Sequence, residues 1–309
     1  MKKLNNSTIG LYNYYNGIHT YREVGKIGYI SIDNLYKNIE IMMYRECYAM
    51  EKIHGTSAHI SFKEGKLTYF SGGEKHEKFI KLFDDEVLLD IFDEHYTNVD
   101  VVLFGEAYGG SQQGMSETYG KELKFVVFDV KIGENWLDVP NAEQVTKRLG
   151  LDFVDYKKIP TTMKAIDRER DRPSIQAKRN GIKENKMREG VVLRPLLETK
   201  KNNGQRVIVK HKRDEFMETK TKRVVDPAKL KVLQEAGEIA EEWVTPMRLT
   251  HVLDKLNNPT EMEKVRDVIK AMIEDVLREA KGEIIVAPAV CRAISKKTAI
   301  MFKESISKI

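Results

Sequence analysis

The sequence has few cysteines and no long apolar run. Its two cysteines, Cys47 and Cys291, cannot form a disulfide framework, so a reducing compartment is expected. No apolar stretch approaches the roughly 20 residues that a membrane-spanning helix needs. The first residues, Met1-Lys2-Lys3-Leu4-Asn5-Asn6, lack the apolar centre of a signal peptide. We therefore expect a cytoplasmic protein with no membrane partner.

A large excess of positive charge is also absent. The 309 residues include 52 lysines and arginines against 47 aspartates and glutamates, which leaves a formal net charge of +5. Any surface that binds nucleic acid must therefore be local. The clearest candidate is the basic segment 157–188, which we interpret as loop-like. Contact with a nucleic-acid backbone and an ordinary solvated surface are equal alternatives for this segment.

The apolar pattern divides the chain into two regions. Many short alternating strands with turn signals predict a largely antiparallel α+β domain over 1–225, in which 1–44 is an N-terminal extension. Helical spacing then predicts an all-helical C-terminal domain over 226–309. Its helices are expected to start at Asp226-Pro227, Thr245-Pro246, Asn258-Pro259 and after about Val286.

The N-terminal extension carries weaker signals. A helix is expected around Asp33–Ile41. The extension also contains several tyrosines, which we expect to pack a small edge element, with stacking on nucleic-acid bases as the alternative. These tyrosines are Tyr12, Tyr14, Tyr15 and Tyr21.

The stretch from Ala49 to Thr56 has the residue types of a covalent nucleophile site. Lys52 ends an apolar, strand-like run and is followed by His54 and Gly55. A lysine nucleophile needs a fixed backbone, a partner for its proton and close approach by a phosphate, which a glycine permits because it has no Cβ. The stretch alone does not decide the matter, because a solvated lysine at a strand end is a common alternative.

Five short segments occur in one order, each within or at the end of a predicted strand. They are Glu51-Lys52-Ile53-His54-Gly55-Thr56, Phe104-Gly105-Glu106, Phe125-Val126-Val127-Phe128-Asp129, Glu189-Gly190-Val191-Val192-Leu193 and Val209-Lys210-His211-Lys212. This set resembles the covalent nucleotidyltransferases, the superfamily of polynucleotide ligases and messenger-RNA capping enzymes. The His-Gly-Thr form of the lysine motif, with Gln113-Gly114 and Tyr119, is similar to the branch of phage RNA ligases and trypanosome RNA-editing ligases. The helices after the last motif agree with that branch, since DNA ligases and capping enzymes have an oligonucleotide-binding β-barrel there.

The resemblance implies an ATP-dependent RNA ligase. Lys52 would attack the α-phosphate of ATP to form lysyl-AMP, the AMP would pass to an RNA 5′-phosphate, and an RNA 3′-hydroxyl would displace it. Lys210 and Lys212 would offset negative charge on the α-phosphate in the transition state. The implied partners are RNA with 3′-hydroxyl and 5′-phosphate ends, ATP, and Mg²⁺ with Mn²⁺ as an alternative; a monomer is assumed.

The resemblance also implies the residues of a nucleotide site. Glu106 would bind the ribose hydroxyls, Phe128 would stack on adenine, and Glu189 would hold a hydrated Mg²⁺. Asp129 is a second candidate for the metal environment. The residues expected around the nucleotide are Glu51, Ile53, His54, Gly55, Ser57, Glu106, Phe128, Glu189, Lys210 and Lys212.

Two features depart from the family pattern. Ser57 stands where the family has asparagine, and the stretch Phe70-Ser71-Gly72-Gly73-Glu74-Lys75 has no arginine to reach the ribose and phosphate. Lys75, His76 or the glycine backbone would have to replace that contact. Two alternatives therefore stay open: a nucleotide-dependent RNA-binding protein without ligase activity, and a DNA-joining or capping nucleotidyltransferase.

Overall fold

The computed structural model describes residues 27–201, 203–217 and 224–307. The four tyrosines for which packing or base stacking was considered, at positions 12 to 21, lie outside these residues. Within the described ranges, no helix is both long enough and apolar enough to cross a membrane.

The described residues form two five-stranded sheets. In chain order the strands are β1 (Asp33–Asn34), β2 (Glu46–Lys52), β3 (Thr56–Lys63), β4 (Lys66–Ser71), β5 (Val101–Gly109), β6 (Leu123–Ile132), β7 (Asn135–Trp136), β8 (Tyr156–Pro160), β9 (Gly190–Pro195) and β10 (Val209–Lys212). The first sheet has the order β1-β10-β9-β2-β8 and the second has the order β4-β3-β5-β6-β7. All pairs are antiparallel except β1 with β10.

The registers of these strands bring the predicted motifs together. Lys52 at the end of β2 and Lys212 at the end of β10 both lie opposite Gly190 at the start of β9. In the second sheet, Ser57 on β3 lies opposite Glu106 on β5. The chain passes from the first sheet to the second between β2 and β3. The two groups of motif residues therefore face a common cleft at this crossing.

Helices surround the sheets and form the C-terminal region. They are α1 (His76–Phe79), α2 (Asp85–Tyr96), α3 (Ser116–Tyr119), α4 (Val139–Arg148), α5 (Met163–Arg170), α6 (Ile175–Arg179), α7 (Pro227–Trp243), α8 (Pro246–Lys255), α9 (Val265–Glu279) and α10 (Pro288–Ile306). The predicted α+β class, with antiparallel sheets followed by helices, is confirmed. Where the C-terminal domain begins stays a prediction, although Asp226 caps α7 as expected, since its side chain accepts hydrogen bonds from Ala228 and Lys229.

Three local predictions were wrong. The segment 157–188 is not loop-like: it contains β8, α5 and α6, and Thr162 and Ser174 cap the two helices through side-chain hydrogen bonds. Asn258-Pro259 does not start α9, because Asn258 has a left-handed φ of 50° and α9 begins only at Val265. The region around Asp33–Ile41 holds the short strand β1 and a 3₁₀ turn at Glu40–Met43 instead of an α-helix.

The C-terminal helices pack on the 3₁₀ turn that precedes β2. Ile39 contacts both the helical core and the core of the first sheet. Lys296 of α10 reaches Glu40 with an Nζ–Oε2 distance of 3.3 Å. A Cβ at Gly237 of α7 would lie 3.2 Å from the carbonyl oxygen of Met43, so this helix lies close against the turn.

Candidate active site

A buried carboxylate lies at the centre of the cleft. Glu189 Oε2 lies 2.8 Å from Lys52 Nζ and 3.1 Å from His54 Nδ1, and Glu189 Oε1 lies 2.8 Å from Lys212 Nζ. The arrangement follows from the strand register, because both lysines lie opposite Gly190, the next residue. Burial alone would raise the pKa of Glu189, but hydrogen bonds from His54, Lys212 and Lys52 and the charge of Lys52 lower it to about 2. The Glu189 carboxylate is therefore ionised at neutral pH.

Gly55 allows the lysine strand to approach the second sheet. A Cβ at this position would lie 2.4 Å from the carbonyl oxygen of Ala107, a distance that no real Cβ atom tolerates. The same close approach lets the Gly55 N–H donate a hydrogen bond of 3.1 Å to Glu106 Oε1. The glycine of the motif thus fixes the spacing between Lys52 and Glu106.

Glu106 titrates near neutral pH. Burial raises the pKa of its carboxyl most strongly and the charge of Glu189 adds to this, whereas Lys52 and the Gly55 N–H oppose the shift, giving a pKa of about 7. The side chain lines the cleft beside Lys52. Its position agrees with the expected contact to a sugar hydroxyl, and that role stays a prediction.

A cavity of about 280 Å³ opens between the two sheets. The first sheet contributes Lys52, Val192, Arg194 and Lys210, and the second contributes Ser57, Glu106 and Phe128. Residues 29–32 of the N-terminal segment close one side. Glu51 and Ile53 also line the cavity, so the structure brings together there every predicted nucleotide-site residue except four, which lie beside it: His54, Gly55, Glu189 and Lys212.

The Glu51 side chain has a second set of contacts. Its carboxylate is buried and accepts hydrogen bonds from the Ser174 hydroxyl at 2.5 Å and from the backbone N–H of Ile175 at 2.9 Å. Arg188 Nη2 lies 3.7 Å away. Glu51 therefore ties the strand of Lys52 to the start of α6, a connection that the sequence pattern did not indicate.

Asp129 lies in a network with two arginines, of which Arg194 lines the cavity. Its carboxylate accepts hydrogen bonds from Arg194 Nη1 at 2.9 Å, from Arg206 Nη1 and from the Tyr29 hydroxyl at 2.6 Å. The Tyr29 ring also packs edge-on against Phe128, with centroids 5.1 Å apart. Two guanidinium groups and a phenol donate hydrogen bonds to this carboxylate. We therefore do not include the predicted metal role of Asp129 in our proposal.

The stretch without the family's arginine packs behind the lysine motif. Gly72 donates its N–H to the Ser57 carbonyl oxygen at 2.9 Å, and a Cβ at Gly73 would lie 2.9 Å from Thr56 Oγ1. Neither glycine lines the cavity, and neither does Lys75. Among the described residues, the cations that line it are Lys52, Lys210 and Arg194. What replaces the arginine contact stays a prediction.

The cleft offers few protein ligands for a metal ion. Among the described residues, no group of three or more His, Cys, Asp or Glu side chains could hold an ion by itself. Mg²⁺ is usually bound by one or two carboxylates together with water and substrate phosphates. Glu189 supplies one ionised carboxylate beside the cavity, and Lys52, His54 and Lys212 contact both of its oxygens. A metal ion would have to share this carboxylate with them, and the metal role of Glu189 stays a prediction.

A family model described as RNA ligase matches residues 45–212, which is more than half of the chain. The chain belongs to the RNA ligase family. The family predicted from the five motifs is thus confirmed. No curated protein matches the chain.

Solved RNA ligase chains from Naegleria gruberi are similar to this RNA ligase family member. One, with PPi, is 18% identical with a TM-score of 0.46, and a mutant with ATP and Mn is 18% identical with a TM-score of 0.48. Each alignment covers 62% of this chain and 57% of the other. The chain therefore matches less than two thirds of the length of those proteins.

Proposed function

We propose that this protein is an ATP-dependent RNA ligase that joins RNA 3′-hydroxyl and 5′-phosphate ends through lysyl-AMP and RNA-adenylate intermediates. The observation that carries the proposal is the convergence of Lys52, Lys212 and His54 on Glu189 beside a cavity of about 280 Å³. One amine among several cations, next to a cleft with an aromatic ring and a carboxylate, is the arrangement that attack on a nucleotide phosphate needs.

In the first step, the neutral Lys52 amine attacks the α-phosphorus of ATP. A nitrogen–phosphorus bond forms, the bond from the α-phosphorus to the bridging oxygen breaks, and pyrophosphate leaves with that electron pair. The Lys52 ammonium gives one proton to solvent to form this amine, and the nitrogen gives a second proton to solvent as the nitrogen–phosphorus bond forms. Lys210 and Lys212 stabilise the charge on the phosphate oxygens during this step.

In the next two steps, the nucleotide moves to RNA and is then released. An oxygen of the RNA 5′-phosphate attacks the phosphorus of lysyl-AMP, which restores the Lys52 amine and forms a 5′-5′ pyrophosphate linkage. The RNA 3′-hydroxyl then attacks the 5′-phosphate, loses its proton and displaces AMP. Mg²⁺ held by Glu189 would neutralise phosphate charge.

Self-adenylylation tests the proposal. The purified protein is incubated with ATP labelled at the α-phosphate, denatured and separated by electrophoresis. Wild-type protein should retain the label and the Lys52→Ala variant should retain none. Lys63→Ala is the matched control, because Lys63 lies on β3, the next strand along the chain, with its side chain 61% exposed, and should label like the wild type. Unlabelled wild-type protein would favour an RNA-binding protein without ligase activity.

A panel of ends defines the substrate. Nicked and single-stranded RNA and DNA substrates of matched sequence are incubated with the protein and ATP. Sealing of RNA ends supports an RNA ligase, whereas sealing of DNA ends alone would favour the DNA-joining alternative.

We also propose that residues 1–225 form the adenylyltransferase domain and that residues 226–309 engage the RNA. Ultraviolet cross-linking of a radiolabelled nicked RNA, followed by peptide mapping, tests this division. Cross-links within 226–309 support it, and cross-links confined to 45–225 would contradict it.

A further inference from the structure

An aromatic residue outside the five motifs touches the catalytic cluster. The Phe216 ring lies against the His54 imidazole, with ring centroids 5.2 Å apart and planes inclined by 63°. Phe216 is the last residue of a 3₁₀ turn over Asp214–Phe216 and is partly buried. The sequence gives no motif at this position.

The turn that carries Phe216 is attached to Glu189 itself. The N–H of Arg213, which precedes the turn, donates to the Glu189 carbonyl oxygen at 2.9 Å, and the N–H of Phe216 donates back to the Arg213 carbonyl oxygen at 3.1 Å. The Arg213 guanidinium also donates to the carbonyl oxygen of Asp171 at 3.2 Å. These bonds therefore fix the Phe216 ring relative to Glu189, whose carboxylate contacts His54.

The orientation of His54 affects how Lys52 is held. His54 Nδ1 and Lys52 Nζ approach the same oxygen, Glu189 Oε2, at 3.1 Å and 2.8 Å. An imidazole that turns away gives up its contact with this oxygen, and the carboxylate that holds the Lys52 amine is then fixed by one neighbour fewer. The Phe216 ring packs on the imidazole and restricts that rotation.

We propose that Phe216 is a positioning residue that keeps the His54 imidazole directed at Glu189 and so holds the Lys52 amine in place for attack. The inference rests on the proposed adenylylation by Lys52. An edge-on aromatic pair corresponds to a factor of about 2 to 12 in an equilibrium constant. We therefore expect the Phe216→Ala variant to lose about 2- to 12-fold in the single-turnover rate of adenylylation at saturating ATP.

A double-mutant cycle on the full chain tests this coupling. The rate of label transfer is measured for wild type, Phe216→Ala, His54→Ala and the double variant. Phe216→Ala should slow the wild type but should not slow His54→Ala further. Phe216→Tyr, which keeps the ring, should restore the wild-type rate, and Lys63→Ala, an exposed position on β3, should leave it unchanged. Equal slowing by Phe216→Ala in both backgrounds, or a change only in the KM for ATP, would overturn the proposal.

A second measurement does not depend on enzyme activity. The chain has seven histidines, so the His54 ring signals in a ¹H–¹³C spectrum of histidine-labelled protein can be identified by their loss in His54→Ala. These signals should shift in Phe216→Ala and stay in place in Lys63→Ala, because a neighbouring ring shifts the resonances of protons near it. If wild-type protein takes no label from ATP, the proposed function fails and this spectrum still decides whether the contact exists. Unshifted His54 signals in a folded Phe216→Ala variant would exclude the contact and the positioning role with it.

Discussion

The proton on Glu106 should make the stability of the catalytic region depend on pH in a way that a single substitution removes. Burial and the charge of Glu189 raise the pKa of this carboxyl from its usual 4.5 to about 7. The folded protein therefore retains a proton that the unfolded chain releases between about pH 4.5 and pH 7. Across that window the contribution of Glu106 to the free energy of unfolding falls as the pH rises.

The size of the effect follows from the shift. One pKa unit corresponds to about 1.4 kcal/mol, so the whole shift corresponds to about 3.4 kcal/mol. Because part of this change occurs below pH 5, the contribution of Glu106 should fall by about 2.5 kcal/mol between about pH 5 and pH 8. Glu106→Gln cannot titrate and should lack this fall. The free energy of unfolding of Glu106→Gln relative to wild type should therefore rise by about that amount over the same range.

Urea unfolding measured by tryptophan fluorescence provides the assay. A Trp243→Phe background leaves Trp136, on the second sheet, as the reporter. Glu263→Gln, at an exposed position of the helical region, is the control and should follow the wild type at every pH. Parallel pH profiles for Glu106→Gln and wild type would refute the assignment of a raised pKa to this carboxyl.

Three further substitutions test other parts of the cleft. Gly55→Ala places a Cβ 2.4 Å from the Ala107 carbonyl oxygen and should destabilise the protein by about 1–3 kcal/mol; an unchanged melting temperature would contradict the close packing. Tyr29→Phe removes the hydroxyl that donates to Asp129 at 2.6 Å. It should cost about 1–3 kcal/mol in urea unfolding, and an unchanged midpoint would show that the phenol contributes nothing. Lys212→Ala should slow adenylylation by about 100-fold while ATP still binds, because a contact to the transition state is lost; a wild-type rate would exclude that role.

The strand motifs could be predicted because each is local in the sequence. Lys52, Glu106, Glu189 and Lys212 all lie within or next to strands whose alternation is readable, and the strand register then brings them together. The two short helices in 157–188 were missed because their many arginines and lysines conceal the apolar spacing. The capping residues Thr162 and Ser174 were the signal that could have revealed them.

The remaining parts of the site depend on contacts between distant residues, which no local pattern encodes. Tyr29 bonds to Asp129 across 100 residues of sequence, and Phe216 meets His54 only because its turn is attached beside β9. Asp129 was predicted to lie in the metal environment from the resemblance. The residues next to it in the sequence do not indicate that Arg194 and Arg206 contact its carboxylate.

The crossing of the chain between the two sheets has a mechanical consequence. Lys52 and Lys210 belong to one sheet, whereas Glu106 and Phe128 belong to the other, and Ile53–Gly55 is a covalent bridge between the two. A small molecule that contacts both walls of the cavity would link the two sheets for as long as it stays bound. Binding and release of that molecule would then change how freely the two sheets move relative to each other.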